Sequence, residues 1–226
     1  MSCSVMTKTL LISGGNGGIG RALSHEVAAK GLLPILGYRS GMDEAKEIAD
    51  QCGGRAVHLD LSDHDSIDRA VTEVSGLGQL AGIVLAASPP PSVGPFGRID
   101  PDESRLQWQV NVAGPQRLLQ ALIRTCLQPQ KTGVVLGILT AGMGDGKKPA
   151  ARGMGGYIIA KYGQCGLLAV LAAEYPWLRV RSIRPSYTRT RMLEIFDERF
   201  LDLIGQENPI RLPEEVARDI IEELEL

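Results

Sequence analysis

The sequence predicts an α/β fold, a doubly wound parallel sheet held between two helical layers. Three observations lead there: short apolar runs alternate with longer amphipathic stretches, a glycine-rich turn follows the first run, and the polar motifs fall where strands end. The apolar runs predicted as buried strands are Lys8 to Ser13, Leu33 to Tyr38, Arg55 to Asp60, Ala81 to Ala86, Val134 to Leu139 and Val180 to Arg184. Between them, Arg21 to Lys30, Asp43 to Gln51, Asp63 to Val74, Asp102 to Leu127 and Tyr157 to Glu174 carry apolar residues at helical spacing, with Gly31 and Gly53-Gly54 as stop signals. Right-handed crossovers between parallel strands place helices on both faces and any ligand beyond the strands' carboxyl ends.

The 226 residues include 24 Lys+Arg against 26 Asp+Glu, for a formal charge of −2. A chain of this length buries roughly 70% of its unfolded surface, so one domain over residues 1–226 is expected, without a metal or disulfide staple. The balance of charge argues against nucleic acid and membrane surfaces as partners. Cys3, Cys52, Cys126 and Cys165 lack ligand spacing, and His25, His58 and His64 form no metal pattern, so no metal site and a reducing cytoplasm are expected. The run Leu10-Leu11-Ile12 is too short for a secretory signal, and nothing approaches ~18 consecutive apolar residues.

The turn Ser13-Gly14-Gly15-Asn16-Gly17-Gly18-Ile19-Gly20 sits between the first strand and the first helix. Glycines there let the backbone approach a pyrophosphate, and the helix N-terminus offers it unpaired N–H groups. Where the second strand ends, Tyr38-Arg39-Ser40 replaces the carboxylate that an NAD-preferring site presents to the ribose 2′-hydroxyl. Arg39 and Ser40 can instead bind a 2′-phosphate, which makes NADP(H) the expected cofactor; the alternative for Arg39 is an ordinary solvated charge. Asp60-Leu61 can hold the adenine edge, or Asp60 can shape the turn before a helix capped by Ser62 or Asp63.

Tyr157 and Lys161 stand four residues apart on one helix face. Moving a phenol from ~10 to ~7 requires roughly 4 kcal/mol, and a cation ~4 Å away supplies about that at an effective dielectric constant of 20. Lys161 is therefore expected to bring Tyr157 toward neutrality as a proton donor or acceptor.

Together, the glycine turn and this pair, in order and on the right elements, resemble the short-chain dehydrogenase/reductase family over essentially the whole chain. The resemblance implies a Rossmann-like sheet binding NAD(P)(H), with Tyr157 as acid or base, Lys161 on the nicotinamide ribose, and Asn111 of Val110-Asn111-Val112-Ala113-Gly114 supporting a proton relay. A helix-interior amide bonded to its own backbone is the other reading of Asn111. The family's serine lies about a dozen residues before the tyrosine, whereas this strand ends Ile138-Leu139-Thr140, seventeen residues before it. Thr140 is expected to take the serine's place, with extra residues between Gly144 and Lys148, although Gly144 holds the usual spacing. Leu85-Ala86-Ala87-Ser88 replaces the family's NNAG run, which removes side chains that tie neighbouring strands; Ser88 is either a substitute donor or a loop residue. Ala86 and Ala87 are expected beside the cofactor, as are Ser13, Gly14, Asn16, Gly18, Ile19 and Gly20.

Pro185-Ser186-Tyr187-Thr188-Arg189-Thr190 resembles the family's PGxxxT segment beside the nicotinamide, which assigns Pro185, Thr188 and Thr190 to the cofactor; Thr190 can also cap the next helix. The family's Gly-rich seventh strand has no counterpart, so the sheet is expected to lack it. Arg179, Arg181, Arg184, Arg189 and Arg191 either attract an acidic or phosphate-bearing partner, such as a carrier-protein-linked substrate, or form a solvated rim. Residues 189–212, with Met192, Leu193, Ile195, Phe196, Phe200 and Leu201 in the stretch Thr190 to Ile204, form either a substrate lid or packed core. The function implied is NADPH-dependent reduction of a carbonyl to an alcohol, with a 3-oxoacyl carrier-protein or related ketone as substrate, by a homo-oligomer. Two alternatives stand beside it: a redox-silent dinucleotide-binding scaffold or regulatory subunit, and an isomerase or dehydratase that consumes no NADPH.

Overall fold

A computed structural model describes residues 7–207 and 209–226. Cys3 lies outside the described residues. Six parallel strands form one sheet, β1 (Lys8–Ser13), β2 (Leu33–Tyr38), β3 (Arg55–His58), β4 (Gln79–Leu85), β5 (Val134–Ile138) and β6 (Arg179–Ile183), in the order β3-β2-β1-β4-β5-β6. The order reverses between β1 and β4, which opens a crevice at their carboxyl ends. β3 stops at His58, two residues short of its predicted end, because Asp60 turns the chain: its Oδ1 accepts from the Ser62 N–H at 2.8 Å and from the Ser62 hydroxyl at 2.6 Å. No seventh strand occurs among the described residues, and β6 forms the sheet's edge.

The helices are α1 (Gly18–Ala29), α2 (Met42–Gln51), α3 (His64–Ser75), α4 (Pro101–Trp108), α5 (Gly114–Leu122), α6 (Gln128–Gln130), α7 (Gly155–Glu174), α8 (Glu198–Glu207) and α9 (Pro213–Leu224). The long helix predicted from Asp102 is continuous but interrupted by two π-turns, Gln109–Ala113 and Ile123–Leu127. Asp63 and Asp100 cap α3 and α4 by accepting from backbone N–H groups two residues on. Gly31 and Gly53 end α1 and α2 with φ of 78° and 64°, a conformation L side chains rarely adopt.

Strand alternation separates two cores. Leu11, Ile83 and Val135 face α3, α5 and α7, whereas Leu10, Ile12, Val84 and Leu136 face α1 and α9. α7 is long and apolar enough by length and composition to cross a membrane, yet its Tyr157, Lys161, Gln164, Leu168 and Leu171 are buried, and Leu168 lies against Gly137 of β5. At the sheet edge, Arg179 Nη1 donates to the Leu224 carbonyl at 2.9 Å, and both Arg179 and Arg181 pair with Glu225.

Because α9 closes one face, its fully buried Ile220 carries a testable load. Ile220→Ala is expected to lower stability by about 2–4 kcal/mol in a denaturant titration; an unchanged midpoint would mean that α9 contributes nothing to this face.

Candidate active site

The crevice is built on Ser13. Its buried hydroxyl accepts from the N–H groups of both Ala86 and Ala87 at 3.1 Å, so it ties β1 to the end of β4 where asparagine side chains are missing. Ser88 donates to the Pro89 carbonyl at 3.4 Å, a loop contact. Above Ser13 the glycine turn packs tightly: a Cβ on Gly14 would lie 2.9 Å from Ala87 Cα, and one on Gly18 would lie 2.6 Å from Thr190 Cγ2. Gly20 is buried, with the Gly14 carbonyl where a Cβ would fall, and Ile19 is half-buried against the core that contains α9. Gly17 caps α1 without a side chain, so the helix's first-turn N–H groups have no side-chain acceptor. Such a turn fits a pyrophosphate, since it supplies donors and a positive dipole end with no side chain in the way.

Arg39 and Ser40 are exposed where β2 ends, and Asn16 Nδ2 donates to the Ser40 carbonyl at 2.9 Å, which joins the glycine turn to them. Asp60 is half-buried and engaged in its turn, with Asp63 as the cap. Leu61 is core, and its carbonyl lies where a Cβ on Gly114 would fall. After β6, the Thr188 hydroxyl donates to the Ser186 carbonyl at 3.1 Å, and Thr190 Oγ1 accepts from the Met192 N–H at 3.3 Å, so Thr190 caps the turn Arg191–Ile195 while touching the glycine turn. The half-buried Pro185 accepts from the Ala141 N–H at 2.9 Å, which pins this segment to the loop carrying Thr140.

Tyr157, Lys161 and Thr140 gather around the carboxyl end of β5, and Asn111 lies on the π-turn Gln109–Ala113 packed against α7. The Thr140 hydroxyl hydrogen-bonds to Tyr157, and its Oγ1 accepts from the Gly142 N–H at 3.1 Å. Gly144, at the usual serine spacing, cannot take that role: its φ is 74°, and a Cβ would fall on the Lys148 carbonyl. The added residues form a small turn in which Asp145 Oδ1 accepts from the Lys147 and Lys148 N–H groups. Lys161 Nζ donates to the Ile138 carbonyl at 2.8 Å and to Gln164 Oε1 at 3.2 Å, and lies 5.7 Å from the centre of the Tyr157 ring. Asn111 Nδ2 donates to the Gln107 carbonyl at 3.0 Å and to Gln107 Oε1 at 3.1 Å, while its Oδ1 is buried with no partner among the described residues.

The electrostatics correct one expectation. Lys161 does not bring Tyr157 toward neutrality here; burial pushes the phenol up to about 12, against a lowering by its hydrogen bond to Thr140. Burial likewise holds Lys161 down to about 7, so a large share of it carries no charge at neutral pH. Desolvation of both partners outweighs their attraction, a balance that helix spacing alone does not reveal.

The arginine cluster is divided. Arg179 and Arg181 lie toward the amino end of β6 with Glu225, Arg184 donates to the Gly144 carbonyl at 3.3 Å, and Arg191 pairs with Glu44 of α2 at 3.2 Å. Of the candidate lid, Phe196 packs against the cluster of Met154, Tyr157 and Ile158 and meets Tyr187 edge-on at 5.8 Å. The side chains of Phe200 and Ile204 lie outside the described residues. Two buried glutamines were missed by sequence reasoning. Gln107 donates to the Pro89 and Pro90 carbonyls, and Gln164 holds Lys161; their spacings of four from Asn111 and three from Lys161 were the available signals.

The chain is similar to known proteins over most of its length. The chain is 28% identical to the uncharacterized oxidoreductase YmfI of Bacillus subtilis, over 94% of this chain and 89% of that protein. It is 26% identical to the acetoacetyl-CoA reductase of Paracoccus denitrificans, over 96% and 90%. A crystal structure of 3-ketoacyl-(acyl-carrier-protein) reductase from Brucella melitensis, complexed with NADH, superposes with a TM-score of 0.83 at 23% identity, covering 96% of this chain and 90% of that one. The model of the family described as short chain dehydrogenase matches residues 8–199. The chain therefore belongs to the short chain dehydrogenase family and is an NAD(P)-dependent short-chain dehydrogenase/reductase.

Proposed function

We propose that the protein is an NADPH-dependent carbonyl reductase in which Tyr157 is the proton donor. The observation that carries this reading is a buried phenol beside the Thr140 hydroxyl at the carboxyl end of β5, next to the dinucleotide crevice. When bound, NADPH supplies hydride to the carbonyl carbon. The first-turn N–H groups of α1 hold the pyrophosphate, Arg39 and Ser40 the 2′-phosphate, Lys161 the nicotinamide ribose, and Thr188 and Thr190 border the nicotinamide.

The chain's own work is to place and stabilise charge. Gly142 N–H donates to Thr140 Oγ1, which leaves the threonine proton free to face the phenol or a substrate oxygen. Tyr157, kept in its phenol form by burial, gives its proton to the oxygen that develops negative charge. A protonated Lys161 stabilises the phenolate that remains.

Lys147, Lys148, Arg152 and Arg184 are exposed on or near the loop between β5 and α7. They favour a substrate with an acidic handle, such as a carrier-protein-linked 3-oxoacyl group. Trp108, Ile159, Tyr162 and Val170 leave much apolar surface exposed on α4 and α7, which supports a homo-oligomer formed through these helices. The free thiols Cys52, Cys126 and Cys165 suit a cytoplasmic setting.

Tyr157→Phe is expected to reduce turnover by about 10²–10⁴-fold while NADPH binding, followed by fluorescence, is retained. Thr140→Ala is expected to lose about tenfold and Thr140→Ser to recover most of it; full activity in Tyr157→Phe refutes the proposal. Arg39→Ala is expected to weaken NADPH binding by about 10–100-fold and leave NADH binding within twofold; equal effects on the two would remove Arg39 from the 2′-phosphate.

A further inference from the structure

Two buried side-chain atoms lack a hydrogen-bond partner among the described residues, Asn111 Oδ1 and Gln164 Nε2. Asn111 belongs to the site described above. Gln164 has no role in that chemistry, although it is fully buried on α7, three residues past Lys161. It lies next to Gly163, where a Cβ would lie 2.8 Å from Val112 Cγ2 and from the Trp108 ring. The Gln164 side chain itself is fully buried, and its N–H₂ group goes unmet among the described residues. A buried donor without a partner is unfavourable, and an apolar side chain of similar size would relieve it. Packing alone therefore gives no reason for an amide at this position.

The other half of the amide is engaged. Lys161 Nζ has three protons to place in a fully buried setting; one goes to the Ile138 carbonyl at 2.8 Å and one to Gln164 Oε1 at 3.2 Å. Those two acceptors fix the ammonium in space and leave a single N–H unassigned. We propose that Gln164 is a positioning residue that anchors the Lys161 ammonium at the end of β5 and favours its charged form.

The surroundings leave this task to few groups. Tyr157 and the free thiol Cys165, each four residues from Lys161, are the titratable groups on the same helix face, and β5 and its loop bring a backbone carbonyl and the Thr140 hydroxyl. The π-turn Gln109–Ala113 brings neutral Asn111, α4 brings Glu103 against Gly156, five residues before Lys161, and β6 brings Arg179 and Arg181, already paired with Glu225. Burial alone holds Lys161 down to about 7, so a neutral acceptor on Nζ bears directly on how much of it is charged in the physiological range.

The consequence for turnover rests on the reductase reading, but the protonation of Lys161 can be read without it. The test is a ¹³Cε NMR titration of lysine-labelled protein, with the Lys161 signal identified by its loss in Lys161→Met. Gln164→Leu and Gln164→Met are expected to lower the proton affinity of Lys161 by about tenfold. Gln164→Glu, which keeps an acceptor and adds charge, is expected to raise it and serves if the apolar variants do not fold. The alkaline limb of the kcat profile for NADPH-dependent reduction is expected to move the same way in each variant, with KM for the ketone within twofold. Titration midpoints that coincide with wild type in the folded variants would overturn the proposal. Shifted midpoints in a protein that never oxidises NADPH would overturn the reductase reading and leave this one standing.

Discussion

One serine hydroxyl joins the two halves of the sheet at the point where ligand chemistry is possible. Ser13 Oγ accepts from two successive N–H groups at the end of β4, so the floor of the crevice between β1 and β4 is closed by the protein itself. Without that acceptor, two backbone donors at the strand end would need another partner, and the glycine turn above would lose the surface on which Gly14 rests. The placement of the turn against Thr190, and of the Thr140 loop against Pro185, is built on the same floor. Hydrogen bonds from backbone to side chain and from loop to loop thus hold the site, while the helices supply the burial.

Burial sets the site's chemical character. The tyrosine and lysine lie on one helix face, as spacing requires, and both are driven toward their neutral forms because little water reaches them. A neutral phenol is the form that can give a proton, so the cost of desolvation and the direction of the proposed proton transfer agree. The same burial makes each neighbouring acceptor count, since a carbonyl and one amide oxygen are what the ammonium has in place of solvent.

Much of this was legible in the chain. Alternating apolar runs located all six strands, and the glycine turn and the Tyr157–Lys161 spacing landed at carboxyl ends, since parallel topology leaves few other places for them. The family resemblance led to Thr140, and the positive φ at Gly144 accounts for glycine at the family's usual serine spacing. Less legible were quantities that depend on three dimensions. The sign of the Tyr157 shift depends on how completely two side chains are covered, which periodicity does not report. The arginine run from Arg179 to Arg191 looked like one cluster, but an extended strand carries its two ends to opposite edges of the sheet. The tie made by Ser13 was hidden because it replaces side chains on a different strand.

The open flank of β6 has a bearing on how the molecule behaves in a crowded solution. A sheet margin with unpaired peptide groups is a template for a foreign strand, and here two guanidinium groups, both paired with the one glutamate that follows α9, stand along it. An incoming chain would have to displace those ion pairs and strip water from the charges before its own peptide groups could pair. Those ion pairs therefore make this flank a poor template for an incoming strand.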